Sequence, residues 1–169
     1  MNLIFAALHS ASTPIPAIVA VPAFIVFWCF VIWMISWMSG WQKLSRHFAL
    51  KPSLLYGRKI HFFNTSGRFK QAGYNNVLKL AAIDRGLILK LNVLFRLGHN
   101  PLLIPWDAIS EISAVPLPIQ LPGWLKLPVK LDPGLYEVKL AKFPDLRIRL
   151  HKKAFDESGA MELFQKSRR

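Results

Sequence analysis

The run from Ile15 to Trp41 carries no charged side chain. A bilayer's hydrocarbon core of about 30 Å takes roughly 20 apolar residues of helix, so this stretch can cross with residues to spare. A buried core helix is the other structure such a run could form, but core helices are usually shorter and keep a polar face. The sequence therefore predicts one N-terminal transmembrane α-helix over residues 15–41, preceded by a tail over residues 1–14.

Charge is segregated along the chain in a way that orients this span. Residues 1–41 contain no Lys, Arg, Asp or Glu, so the whole formal charge of +13 falls on residues 42–169. Lys43, Arg46, Lys51, Arg58, Lys59, Arg68, Lys70 and Lys79 all precede the first acidic residue, Asp84. Basic residues flanking a span stay on the cytoplasmic side, which predicts a single pass with the N-terminus outside and the C-terminal domain in the cytoplasm. The front lacks the positive n-region of a cleaved signal peptide, and its apolar run is too long for an h-region, so the span is expected to be retained. The one cysteine, Cys29, lies inside the run and is read as packing. Asn64-Thr65-Ser66 matches a glycosylation acceptor, but a cytoplasmic domain does not meet that machinery.

Trp33, Trp37 and Trp41 recur every four residues, which on one continuous helix places them on one face, as an aromatic belt at the cytoplasmic interface. Ser36, Ser39 and Gly40 are the small residues that would let a partner helix approach. Beyond the span, residues 42–56 read as an amphipathic juxtamembrane segment. Trp41, Leu44 and Phe48 share a face opposite Gln42, Lys43, Arg46 and His47, until Lys51-Pro52 ends the run. Lys43, Arg46 and Lys51 are the cations expected to meet anionic headgroups, as attraction without lipid selectivity.

From residue 57 the period changes from helical to two. Strands are expected over Ile60 to Thr65, Val77 to Ile83, Leu87 to Leu91, Leu94 to Leu97 and Leu102 to Pro105, with turns at Asp84-Arg85-Gly86 and Gly98-His99-Asn100-Pro101. Residues 114–134 contain five prolines among apolar side chains and form a loop that must bury Trp124 and Leu125 somewhere. That loop either folds over its own barrel or docks on a membrane or partner, with Lys126 and Lys130 touching headgroups. In the final hairpin, placing Leu140 opposite Leu146 across a Phe143-Pro144-Asp145 turn gathers the apolar residues on one face and sets Glu137 opposite Arg149. A closing helix is expected from about Asp156 to Ser158 onward, carrying Ala160, Met161, Leu163 and Phe164 inward, with residues 166–169 as a basic tail.

Several short antiparallel strands closed by a C-terminal helix, with the hairpin at Asp84-Arg85-Gly86, then Leu103-Ile104-Pro105-Trp106 with Ile109 and Ile112, resemble the pleckstrin-homology-like partly open barrel of the GRAM and bacterial types. The arrangement over residues 57–167, behind Gly40-Trp41 with Leu44 and Phe48, is similar to small bacterial single-span inner-membrane proteins. The resemblance implies binding of lipids or proteins at a membrane rather than catalysis. It transfers no phosphoinositide pocket, because no tight basic cluster on one early hairpin can be matched.

The chemistry-bearing motifs are absent from the sequence: no His-Glu-x-x-His, no Cys-x-x-Cys, no glycine-rich phosphate loop, no Gly-x-Ser-x-Gly. His99 is read as a solvated turn histidine, and Asp107 as a turn cap rather than half of a carboxylate pair with Glu111. No catalytic, cofactor or metal residue is assigned. Nucleic-acid binding is not expected, since the cations are spread without interleaved aromatics. Two readings stay open: a membrane-tethered binding module, or an accessory subunit of a larger membrane complex, with a protein partner on the span or the Pro-rich loop.

Overall fold

Helix α1, Ala17–Met38, is a single apolar helix with Pro22 inside it. Its stretch Ile18–Met38 is long and apolar enough to cross a membrane, and Phe24, Ile25, Val26, Phe27 and Phe30 are all exposed along it. The computed structural model describes residues 17–55, 57, 59–115 and 134–169. These fall into two units that divide between Val31 and Ile32, with α1 beginning in the first and ending in the second.

Within the second unit, α1 stops at Met38 and a new helix, α2, runs from Trp41–Phe48. Gly40 makes the break. Its φ of 77° is left-handed, a conformation glycine adopts without steric cost, and a Cβ there would lie 2.9 Å from Leu146 Cδ1. α2 is amphipathic as the spacing requires, but its apolar face is taken up by protein. Trp41 and Leu44 are fully buried, and Phe48 packs on the same core. After α2, Leu50 N–H donates to the Pro101 carbonyl at 2.9 Å and a short 3-10 turn follows at Pro52–Leu55.

Seven strands then form one antiparallel sheet: β1 Phe63–Phe69, β2 Ala72–Ile83, β3 Gly86–Leu91, β4 Leu102–Pro105, β5 Ile109–Ala114, β6 Leu135–Leu140 and β7 Phe143–His151. The order is β4-β3-β2-β1-β7-β6-β5, and the 3-10 turn Trp106–Ala108 carries the chain from one edge strand to the other. The sheet curls into a nearly closed barrel. Alternate residues point inward: Leu78 and Leu80 from β2, Ile104 from β4, Val138 and Leu140 from β6, and Ile148 and Leu150 from β7 are all buried in one core. α3, Lys152–Glu157, and α4, Ala160–Ser167, close it. This is a pleckstrin-homology-like partly open barrel behind an N-terminal apolar helix.

Several local expectations shift. Leu94 to Leu97 is no strand; a 3-10 turn at Val93–Phe95 stands there, with Val93 and Leu94 exposed. β1 starts at Phe63 rather than Ile60, and β2 extends back to Ala72. In the last hairpin Glu137 does face Arg149, yet Leu140 pairs with Phe143 and not Leu146. The ladder shifts between Val138 and Leu140, because the buried Phe143 continues β7 and Pro144, which has no N–H to give, sits where the register slips. The closing helix is two helices, parted at Gly159, and the fully buried Phe155 on the first was not among the inward residues expected. The basic tail is partly docked: Arg168 Nη2 donates to the carbonyls of Ile109 at 2.7 Å and Ser110 at 2.6 Å, tying α4 to β5.

Candidate functional site

The expected interface residues separate. Trp33 and Trp37 are exposed on α1, at 48% and 68%. Trp41 is 0% exposed, which corrects its place in an aromatic belt. The i, i+4 spacing assumed one helix through residue 41, and the break at Gly40 turns the third indole into the barrel. There it packs on Phe69 and Tyr74, with centroids 4.8 and 5.8 Å away, and its Nε1 donates to the Asn100 carbonyl at 2.8 Å. Burying an indole in this way is worth on the order of 3 kcal/mol. Lys43, Arg46 and Lys51 are exposed, but the apolar face they flank lies against protein, so α2 is no free collar for the headgroup layer. Lys43 Nζ stands 5.4 Å from the Phe143 ring. Trp124, Leu125, Lys126 and Lys130 lie outside the described residues.

Around Trp41 is a polar cluster that local sequence pattern did not reveal. His99, expected in solvent, is 1% exposed. Its Nδ1 lies 3.0 Å from the Leu97 carbonyl and its Nε2 lies 2.8 Å from Tyr74 Oη. Tyr74 Oη is also 3.0 Å from Ser39 Oγ, which accepts the Trp41 N–H at 3.3 Å and lies 3.1 Å from the Ser36 carbonyl. Ser36 Oγ donates to the Gly98 carbonyl. Among the described residues, no buried side-chain nitrogen or oxygen is left without a hydrogen bond. The small residues that would have suited a partner helix are thus used inside the chain: Ser36 by the loop between β3 and β4, Ser39 by Tyr74 of β2, and Gly40 against Leu146 of β7.

The second feature is a cleft of about 970 Å³ lined by Ile35 and Met38 from the end of α1, Arg68 from β1, Lys70 and Gln71 from the β1–β2 turn, and Asp145, Arg147 and Arg149 from β7. Four cations and one carboxylate face this space. Arg68 and Arg149 are direct cross-strand partners, an arrangement that costs stability because like charges oppose each other. Glu137 relieves Arg149 in part, with its Oε2 2.9 Å from Arg149 Nε. A second like-charge pair, Lys79 opposite Lys90, lies between β2 and β3. Burial and the charges of Lys79 and Arg96 hold Lys90 below the usual lysine range, and its Nζ sits 3.3 Å from the Phe62 ring centroid. The cleft leaves no local mark in the sequence, because Arg68 and Arg149 are 81 residues apart (149 − 68) and meet only through the β1–β7 pairing.

Among the described residues no group of three or more His, Cys, Asp or Glu could hold a metal ion. Asp107 is exposed on its 3-10 turn, and Glu111 pairs with Lys139 at 2.8 Å. The fold and this geometry define a class: a pleckstrin-homology-like barrel joined to an apolar helix, with a basic cleft at the join. Compared with family models, curated proteins and solved structures, the chain matches none.

Proposed function

We propose that this chain is a membrane-anchored, non-catalytic binding module, in which α1 crosses the bilayer and the barrel gathers anionic lipid headgroups in the cleft between β1 and β7. The observation that carries this reading is the convergence of Arg68, Lys70, Arg147 and Arg149 beside Ile35 and Met38, the last turns of the apolar helix. Where such a helix leaves the hydrocarbon, headgroup phosphates are at hand. Each cation near an anionic leaflet gains about 1 kcal/mol, so four acting together amount to a few kcal/mol of retention without demanding one lipid species.

The charge asymmetry around the span supports an N-terminus outside and the barrel in the cytoplasm. The likeness to small bacterial single-span proteins supports the inner membrane as its location. Purification of the full chain in mild detergent, with mass spectrometry of everything that co-purifies, tests the function. Enrichment of anionic phospholipid over its share of the membrane, with no companion chain in stoichiometric amount, is the expected result. A stoichiometric companion without lipid enrichment overturns it in favour of the accessory-subunit reading.

A further inference from the structure

The loop between β3 and β4, residues 92–100, is built unlike a solvated loop. Its tip exposes Val93 at 77%, Leu94 at 76% and Leu97 at 49%. Three exposed aliphatic side chains within five residues are costly in water.

Six of its carbonyl groups, in contrast, accept from donors of the chain itself. Asn92 O accepts from Phe95 N at 2.9 Å, Val93 O from Arg96 N at 3.2 Å, and Arg96 O from His99 N at 2.8 Å. Leu97 O accepts from His99 Nδ1, Gly98 O from Ser36 Oγ, and Asn100 O from Trp41 Nε1. A loop in water has no need of so many protein donors, since water supplies them. A loop in lipid must satisfy its backbone within the protein, because each unmet polar group there costs several kcal/mol.

The loop also lies alongside the apolar helix rather than beyond its end. Phe95 and His99 share the walls of a 210 Å³ pocket with Ile32 and Ile35. Ile32 is 3% exposed, although Trp33 and Met34 beside it are open. Ile32 stands six residues before Met38, a rise of about 9 Å. The headgroup layer on one side of a bilayer is only about 5–8 Å thick. A 22-residue helix is about 33 Å long, little more than the hydrocarbon core itself, so a side chain level with Ile32 lies below the headgroups.

We propose that the β3–β4 loop is a second membrane-embedded element: Val93, Leu94 and Leu97 enter the hydrocarbon beside the last two turns of α1, held there by Ser36 of α1 and Trp41 of α2. This rests on the reading of α1 as a span and goes beyond it, since a single-span anchor needs no such loop. Arg96, Lys90 and Lys79 supply the flanking cations, and the long arginine side chain carries its charge back to the headgroups. The bilayer then meets the barrel through both an anchor and an immersed edge.

Depth-dependent quenching in the full chain tests it. With Cys29→Ser as background, a single environment-sensitive fluorophore is placed by Leu94→Cys, by Phe27→Cys within the span, or by Arg85→Cys on the β2–β3 turn. Each protein is reconstituted in vesicles with brominated acyl chains. The expected result is blue-shifted emission and strong bromine quenching at positions 94 and 27, with neither at 85. Quenching at 27 but none at 94 overturns the loop proposal and leaves the span standing. A label at 94 shielded from water but not quenched by bromine also overturns it, in favour of a protein contact. No quenching at 27 removes the span and the loop proposal with it.

Discussion

Tyr74 Oη stands 2.8 Å from His99 Nε2, and the proton between them belongs to the tyrosine. His99 Nδ1 faces the Leu97 carbonyl, which only accepts, so Nδ1 carries the imidazole proton and Nε2 is left as the acceptor. Burial holds His99 below the ordinary value of 6.5 and pushes Tyr74 up from 10.0 to about 12, Ser39 pulling the latter slightly back. Both groups are therefore neutral at pH 7. The joint between α1 and the barrel is built from uncharged hydrogen bonds.

That joint sets a pH profile. A histidine depressed on folding binds fewer protons than in the unfolded chain, so its contribution is complete above 6.5 and erodes as pH falls towards the folded value. A tyrosine raised on folding acts at the other end: its contribution is complete below 10.0 and is lost as pH rises towards 12. Thermal unfolding of the full chain in neutral detergent should show a plateau between these limits. Tyr74→Phe strands His99 Nε2 and should cost about 1–3 kcal/mol across the plateau while flattening the alkaline limb. An unchanged alkaline limb would count against Tyr74 as its source.

Gly40 is the second test of the joint. Gly40→Ala places a side chain in left-handed backbone at about 1–2 kcal/mol and pushes it against Leu146 Cδ1. Because that methyl is the end of a flexible side chain, the variant should fold with a lowered Tm. Gly86→Ala should do far worse, since its Cβ would fall 2.2 Å from the Ile104 carbonyl oxygen, a backbone atom of the paired strand. Equal losses in the two variants would contradict this account of Gly40.

Topology follows from the flanking cations. Reporter fusions at Ser12 and at Arg169 should report the outside and the cytoplasm, respectively. Cytoplasmic activity at Ser12 together with periplasmic activity at Arg169 would place the basic cleft on the opposite leaflet.

The features legible in sequence are those carried by short-range pattern. An uncharged run fixed α1, and period-two alternation gave β3, β4 and β6 close to their observed bounds and Glu137 against Arg149, but it put a turn at Phe143-Pro144-Asp145 where β7 begins. What escaped depended on pairing or on one backbone angle. Gly40 at φ 77° turns Trp41 inward, and an i, i+4 count does not register a break that a glycine leaves optional. His99 lies in a Gly-His-Asn-Pro turn that reads as solvated; only the approach of Trp41 and Tyr74, 58 and 25 residues away (99 − 41 and 99 − 74), makes it a buried acceptor. The basic cleft needs β1 beside β7, a contact that no local window contains.

Arg68 opposite Arg149 should carry opposite effects on stability and on binding. Arg68→Gln removes a like-charge pair and should raise stability in neutral detergent by about 0.2–1 kcal/mol. The same change should reduce the stabilisation gained when anionic lipid is added. If both quantities fall together, the pair is not under electrostatic strain and the cleft loses its main physical signature.

The most direct measurement of headgroup binding is native mass spectrometry of the full chain, released from mixed micelles containing equal phosphatidylglycerol and phosphatidylcholine. The wild-type chain should retain phosphatidylglycerol preferentially, and the Arg68→Gln/Arg147→Gln double variant should lose most of that preference while remaining folded. Retention of both lipids equally by the wild type, or an undiminished preference in the double variant, would contradict the assignment of the cleft.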